Sequence, residues 1–276
     1  MNRKTTSNPF TALPETSQTR QNEWFEQWSM LEDHEKFLFE EWIQPYKLSI
    51  FNNKNILECG CGGGQHTAFM AEHAAQVTAV DLNTVELAKH RNQHRNNIHF
   101  LDADIATMDL GQQFDVVISI GVVHHTDNPD RTVTNLKRHL KPGGVLILWL
   151  YSAEGNTLVR YGVEPIRKLF LRHLSRTHLL HISKFITFLL YFPIYSLYLL
   201  PLRFLPYYEY FQNFRRLSFT RNLLNVFDKL NAPQTYFITR QKAESFVNDM
   251  EDAQVLPYKG VSWSVSGRLP IPNVVK

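Results

Sequence analysis

One stretch constrains this chain more than any other: Asn55-Ile56-Leu57-Glu58-Cys59-Gly60-Cys61-Gly62-Gly63-Gly64-Gln65-His66-Thr67. A short apolar run ends in a carboxylate, a glycine cluster follows at once, and a helix-compatible segment runs from Thr67 to Ala75. That order is a strand, a tight turn and a helix start. The turn has almost no side chains, so a ligand can lie directly on the backbone at a helix N-terminus.

The next hundred residues repeat the alternation. Strands are expected at Lys54–Glu58, Gln76–Asp81, Ile98–Leu101, Phe114–Ser119 and Val145–Tyr151. Helices are expected at Thr67–Ala75, at Thr84–Arg95 with Asn83 as N-cap, and at Pro129–Leu140 with Asp127 or Asn128 capping it. Uninterrupted apolar strands alternating with helices mean a parallel sheet covered on both faces. Ligands then bind at the carboxyl ends of the strands, near the switch point. Chemistry-bearing residues concentrate there: Glu58 and the glycines after strand one, Asp81 ending strand two, Asp102 and Asp104 after strand three, and Gly121-Val122-Val123-His124-His125-Thr126 after strand four.

The glycine pattern narrows the ligand. A dinucleotide fingerprint, Gly-x-Gly-x-x-Gly, fails from Gly60, where Gln65 takes the third place, and from Gly62, where Thr67 does. No Gly-Lys-Ser/Thr follows, which excludes a P-loop. Glu58 ending the strand would repel a pyrophosphate and suits a cationic ammonium or sulfonium group. Asp81 can accept hydrogen bonds from two ribose hydroxyls. Asp104 and Ile105 offer a carboxylate for an exocyclic amine and an apolar face for a purine. The implied ligand has a cationic amino-acid end, a ribose and an adenine.

ILECGCGGGQHT, VTAVDL, FLDADI, FDVVISIGVVHHTDNP and LKPGGVLILWLY together resemble the class I S-adenosylmethionine-dependent methyltransferases, in particular the broad bacterial group with His-His-Thr after the fourth strand. The resemblance covers about residues 54–151. It implies an α/β, Rossmann-like, doubly wound, seven-stranded and mostly parallel sheet with an antiparallel last strand. It also implies S-adenosyl-L-methionine as cofactor. Glu58 and Gly60 would sit by its methionine amino end, Gly62 and Gly64 would let the backbone approach, and Asp81 would hold the ribose. Asp104 would hold the adenine amine, with Leu82 and Ile105 packing the ring and Gly121 and Val122 lining the sulfonium side. Asp102 reads as strand-end solvation. A histidine with a pKa near about 6.5 could take a proton from an acceptor. His124, first after the strand end, is the expected base and His125 the weaker candidate; the bland reading is that one of them only packs at the sheet edge.

Flanking segments complete the domain plan. Residues 1–21 read as a flexible polar lead. From Asn22, Trp24, Phe25, Trp28 and Leu31 fall at helical spacing, and Phe37, Leu38, Trp42 and Ile43 continue in a second segment. These are core-capping helices or an aromatic lid, and with the sheet to Tyr151 they form the cofactor-binding core. Residues 152–233 are a helical insertion after the fifth strand: a basic stretch, Glu164–Lys184, and then Phe185–Leu202, 18 residues with no charge. Pro193 and Pro201 interrupt that run, and it must rejoin a sheet, so a cap over the site or a membrane-interface face through 164–205 is expected, not a span. Residues 234–276 supply a helix from Thr239 and a closing hairpin, with Tyr236, Tyr258 and Trp263 within reach of an acceptor.

Charge agrees with that plan. Of a formal net +3, residues 151–222 hold ten Lys/Arg against three acids, leaving the rest of the chain at −4. The bases are interleaved with bulky aliphatics, so nucleic acid is not the expected partner. The two cysteines, Cys59 and Cys61, lie too close to staple a fold, and no second pair completes a metal site. A cytoplasmic enzyme, peripheral to the membrane if the interface reading holds, is expected to move a methyl group to a small or lipophilic acceptor. The alternatives are a non-catalytic cofactor-binding partner or a cyclopropane-type transfer to lipid.

Overall fold

In the computed structural model, which describes residues 15–272, seven strands form one sheet in the order β3-β2-β1-β4-β5-β7-β6. The strands are β1 (Asn55–Cys59), β2 (Gln76–Asp81), β3 (Ile98–Asp102), β4 (Phe114–Ile120), β5 (Leu140–Tyr151), β6 (Glu251–Tyr258) and β7 (Ser262–Arg268). β1 to β5 run parallel, and β7 is antiparallel to both β5 and β6. The sheet is therefore the Rossmann-like one expected, with the reversal at the closing hairpin. The order turns back between β1 and β4, which opens a crevice above their carboxyl ends.

Neighbouring residues of each central strand feed opposite cores, as the period of two requires. Leu57, Val117 and Leu146 pack on one face with Leu136, Phe246 and Met250. Ile56, Val116 and Ile147 pack on the other with Phe39, Ile43, Phe51 and Met70. Both faces being covered explains why these strands read as unbroken apolar runs.

The helices in chain order are α1 (Glu15–Met30), α2 (Lys36–Trp42), α3 (Gln65–Ala71), α4 (Val85–Arg91), α5 (Pro129–Arg138), α6 (Glu164–Leu169), α7 (Arg176–Ile194), α8 (Tyr208–Phe214), α9 (Phe219–Asn231) and α10 (Arg240–Ser245). Asn128 caps α5 by accepting from the Arg131 N–H, and Thr239 caps α10 by accepting from Lys242. The expected Asn83 cap is a correction: Thr84 holds the N-cap of α4, and Asn83 donates its own N–H to Asp81. β5 begins at Leu140, earlier than expected, because Gly143 takes φ +76 and lets the strand continue through the Pro-Gly-Gly break. Of the expected flexible lead, residues 1–14 lie outside the described residues, and α1 already begins at Glu15.

α1 does not join the sheet domain. Its Trp28 and Met30, with Leu31 just beyond it, pack with Leu179 of α7, Phe214 of α8 and Leu223, Leu224 and Phe227 of α9. The N-terminal helix and the insertion thus make one helical cap over the carboxyl ends of the strands. Two polar tethers fix it there. Arg91, at the end of α4, donates to the Trp28 carbonyl and pairs with Glu32 at 3.0 Å. Arg221 pairs with Asp33 at 3.2 Å, both buried.

Among the described residues one helix, α7, is long and apolar enough to cross a membrane by length and composition. The uncharged run does not form a single helix: α7 ends at Ile194, Pro193 lies in its last turn, and a separate 3-10 turn occupies Leu197–Leu199.

Candidate functional site

The glycine turn owes its shape to left-handed backbone. Gly60 takes φ +85, and a Cβ there would meet the Val122 side chain at 2.4 Å. Gly62 takes φ +53, and a Cβ there would meet the Trp28 indole at 2.9 Å. Only glycine fits both positions, and the second shows how closely the cap rests on the turn. Asp81 ties turn to sheet: its carboxylate accepts from the Gly62 N–H at 2.9 Å and from the Asn83 N–H at 3.3 Å.

A cleft of about 240 Å³ lies between this turn and the cap. Gly60, Gly62, Asp81, Leu82, Asp104, Ile105, Gly121 and Val122 all line it, so eight of the ten expected cofactor residues meet on one surface. The Asp104 carboxylate accepts from the Ala106 N–H at 2.8 Å and from the Thr107 hydroxyl at 3.1 Å, which leaves lone pairs open to a ligand amine. Asp102 does not line the cleft. Trp24 and Trp28 of α1 close it from above, which supports the aromatic-lid reading of the N-terminal stripe.

Two expected residues lie behind the surface. Gly64 is the N-cap of α3 at φ +80, and a Cβ there would meet Asn92 and Ala88, so it serves packing of the turn against α4. Glu58 is 3% exposed and accepts from the Thr67 hydroxyl. Burial pushes its carboxyl up to about 8, only partly offset by that bond. A carboxyl raised that far holds its proton near neutral pH, behind the cleft surface.

The histidines are also reordered. His124 is fully buried, neither ring nitrogen has a hydrogen-bond partner, and its ring lies 4.2 Å from His125 and 4.4 Å from Tyr151. Burial holds it well below the ordinary imidazole range. His125 is the one that lines the cleft, 4.8 Å from the Trp24 ring. Its Nδ1 lies 2.7 Å from the Gln234 carbonyl. A carbonyl only accepts, so Nδ1 carries the proton and Nε2 keeps the lone pair. Burial lowers its pKa, so the ring is neutral at pH 7.

A second cavity, about 110 Å³, adjoins the first and shares Trp28, His66, Ile120, Gly121 and Asp228 with it. Its walls are aromatic: Trp42, Trp149, Tyr151, Tyr210 and Tyr258. α9 supplies Arg221, Leu224, Asn225, Asp228 and Lys229, spaced three and four apart on one helical face. Asp228 stands at the junction, accepting from the Tyr151 hydroxyl at 2.7 Å and from Gln27 Nε2 at 3.2 Å. Burial and the Asp228 charge both hold the Tyr151 phenol well above its ordinary range. Of the three aromatic candidates late in the chain only Tyr258 reaches this cavity. Tyr236 donates to the Asp127 carbonyl, and the Trp263 indole donates to the Ile238 carbonyl inside the core.

Sequence reasoning missed Asp228, Tyr151, Gln27 and Arg221. The signal for the α9 residues was present: polar residues at 221, 225, 228 and 229 share a face of a strongly amphipathic segment. Cys59 and Cys61 are buried free thiols, both raised by burial. Among the described residues no group of three or more His, Cys, Asp or Glu is placed to hold a metal.

Residues 57–148 match the family model described as a methyltransferase domain. Over 98 residues the chain is 37% identical to the ubiquinone biosynthesis O-methyltransferase of Coxiella burnetii, a match covering 34% of this chain and 42% of that protein. Over 133 residues it is 33% identical to the tRNA U34 carboxymethyltransferase of Alteromonas mediterranea, covering 42% and 40%. Among solved structures, the N-methyltransferase NodS of Bradyrhizobium japonicum with S-adenosyl-L-homocysteine aligns with a TM-score of 0.44 at 25% identity, over 54% of this chain and 79% of that one. The chain spans less than half the length of the curated relatives it matches.

Proposed function

We propose, from the premise that residues 57–148 are a methyltransferase domain, that the whole chain is an S-adenosylmethionine-dependent methyltransferase acting on a small or lipophilic acceptor. One observation carries the reading: the cleft lined by the glycine turn, Asp81, Asp104, Gly121 and His125 shares a wall with an aromatic chamber, and Asp228 stands where the two meet. The residues fit the cofactor. Gly60 and Gly62 leave bare backbone where a Cβ would fill the space, Asp81 offers two oxygens to vicinal hydroxyls, and Leu82 and Ile105 flank the Asp104 carboxylate.

S-Adenosylmethionine supplies a sulfonium-bound methyl group, which is the difficult part of the chemistry. The chain supplies alignment, exclusion of water and a place for a proton. Trp24 and Trp28 close the cleft. Gly121 and Ile120 line both spaces, where an acceptor atom would meet the methyl group. His125 Nε2 takes the proton of a hydroxyl or amine, and the Nδ1 bond to Gln234 fixes the tautomer that makes this possible. A ring held neutral by burial suits an acceptor whose own acidity is not far from neutral.

The insertion supports a membrane-surface approach to this site. α7 is apolar on both faces: Leu179, Ile186, Leu190 and Ile194 pack inward, while Phe185, Phe188 and Phe192 face outward. Phe188 is 69% and Phe192 84% exposed, and Phe204 beyond the helix is 81% exposed. Exposed Lys184 and Arg203 flank this apolar face in sequence, which suits an anionic lipid surface. A nucleic-acid acceptor is disfavoured by how the insertion's bases are engaged: Arg167 with Glu164, Arg176 with Glu23, Arg216 with Glu41 and Arg221 with Asp33.

Incubation with methyl-labelled S-adenosylmethionine and fractionated lipid, metabolite and RNA extracts tests the reading. Label in the small-molecule or lipid fraction is expected. Label in RNA alone would overturn the acceptor class, and cofactor binding with no label in any fraction would favour a non-catalytic binding protein.

A further inference from the structure

The helical stretch 157–169, which opens the insertion, is apolar outside and polar inside. Leu158, Tyr161, Ile166 and Leu169, with Phe170 after them, are all more than half exposed. Its inner side, with Asn156 just before it, carries Glu164 and Arg167; Arg167 is 5% exposed and paired with Glu164 at 3.3 Å. A helix on a water-facing surface does the reverse. Pro165 accounts for the stripe staying in line. It has no N–H for the Tyr161 carbonyl, and the ladder opens into a π-turn over Val159–Val163. The extra residue of that turn accommodates the five-residue step from Tyr161 to Ile166.

The same helix is a wall. A third cavity, of about 10 Å³, is lined by Asn156, Val159, Glu164 and Arg167 and by Tyr151, Asp228 and Lys229. Asn156, Tyr151, Asp228 and Lys229 also line the aromatic chamber. One helix therefore stands between this side of the chamber and the exposed stripe.

Charge indicates the covering surface. Residues 155–208 hold one acid, Glu164, against seven Lys/Arg. Glu164 is engaged by Arg167 and Lys168, while Lys168, Arg172, Lys184 and Arg203 are exposed. A two-fold partner copy would set this positive face against itself. An anionic leaflet takes up apolar side chains and neutralises bases at once. We propose that helix 157–169 seats its apolar stripe in an anionic lipid leaflet and is the door, hinged at the Pro165 π-turn, through which an acceptor passes from that leaflet into the chamber. This rests on the methyltransferase reading and adds to it the route by which substrate arrives. Phe185, Phe188 and Phe192 of α7 extend the seat, since α6 and α7 both pack on α9.

Two readouts on the full chain test this. For the seat, Leu169→Cys carries an NBD fluorophore, with the wild-type chain, whose two cysteines are buried, as blank. Ile271→Cys, exposed beside Gly143 at the opposite end of β5, is the control position. Emission at 169 is expected to rise and shift to the blue with vesicles containing about one-third phosphatidylglycerol, and much less with phosphatidylcholine alone. No change at 169 with the anionic vesicles, an equal change with the neutral ones, or the same change at 271 overturns the proposal. For the door, methyl transfer from labelled S-adenosylmethionine to a total lipid extract held in the same vesicles is followed. Leu169→Asp combined with Phe170→Asp is expected to lower the rate at least about tenfold, and Pro165→Ala to lower it about as far while vesicle binding persists. S-Adenosylhomocysteine affinity, read by calorimetry, is expected to stay within about twofold in both, since neither change touches the cofactor cleft. Full rates in either variant, or no label in lipid from a chain that binds S-adenosylhomocysteine, overturn the proposal. A chain that binds no S-adenosylhomocysteine sinks the methyltransferase reading separately, and the fluorescence readout still tests the seat.

Discussion

His125 and His124 stand side by side in sequence and differ in every property that matters for proton transfer. His125 lines the cleft with a fixed tautomer, while His124 is sealed behind it with both nitrogens unpartnered. His125→Gln is expected to lower kcat by about a hundredfold or more with cofactor affinity little changed, as loss of a general base does. His124→Phe replaces two unsatisfied polar atoms with an apolar ring of similar shape, a change that is near neutral or stabilising for a buried site. Full turnover in His125→Gln, or loss of turnover in a folded His124→Phe protein, would reverse the assignment. Glu58 gives a pH prediction with a defined sign. Its folded pKa of about 8 lies above the ordinary value of 4.5, so between those limits the folded chain holds a proton that the unfolded chain has lost. The Glu58 contribution therefore makes stability of the ligand-free protein fall as pH rises from about 4.5 to 8, and does nothing below that window. Glu58→Gln, which can still accept from Thr67, removes the contribution. Thermal melts across that range are expected to show a steeper decline in the wild type, and parallel curves would count against a buried, protonated Glu58. The motif itself was legible because acids and glycines at strand ends are sparse and ordered. The protonation state was not, since it depends on burial that no local pattern encodes.

At the scale of elements, the sheet was readable and the cap only in part: the insertion was expected to cover the site, but α1 was not expected to join it. β1, β2, β4 and β5 announce themselves as apolar runs because both faces of a parallel sheet are covered, and their order follows from crossover rules. α1 looked like part of the core domain, since its aromatic stripe sits in front of the first strand. Its packing against α7 and α9 is tied by Gln27 to Asp228 and Asn231, contacts across about two hundred residues that no periodicity announces. α7 confuses a sequence reading in a different way: Phe185, Phe188 and Phe192 make part of its outer face apolar as well as its inner one, which blurs the one-sided pattern of a helix packed on a water-soluble core. Phe188→Asp combined with Phe192→Asp is expected to abolish flotation with vesicles containing anionic lipid while leaving the melting temperature within a degree or two, because neither side chain is buried. Wild-type protein left at the bottom of the gradient would remove the membrane reading. Concentration-dependent dimerisation without flotation would assign the face to a second copy of the chain.

For the whole molecule, a sheet domain carries the cofactor cleft and a helical cap covers it, and under the proposed function that cap would choose the acceptor. Asp81 anchors the first half, since its carboxylate organises the glycine turn and faces the cleft. Asp228 anchors the second, held by one residue of the sheet, Tyr151, and one of α1, Gln27. Asp228→Asn would leave the Tyr151 hydroxyl a weaker acceptor and cut the link between the halves, so turnover is expected to fall more than cofactor affinity. The most direct measurement is calorimetric titration of the purified chain with S-adenosylhomocysteine, in the wild type and in Asp81→Ala, with NADH as control ligand. The account predicts saturable one-to-one binding to the wild type, at least about tenfold weaker binding to a folded Asp81→Ala protein, and no binding of NADH. A folded wild-type chain that binds no S-adenosylhomocysteine, or binds it equally well without the Asp81 carboxylate, would contradict it.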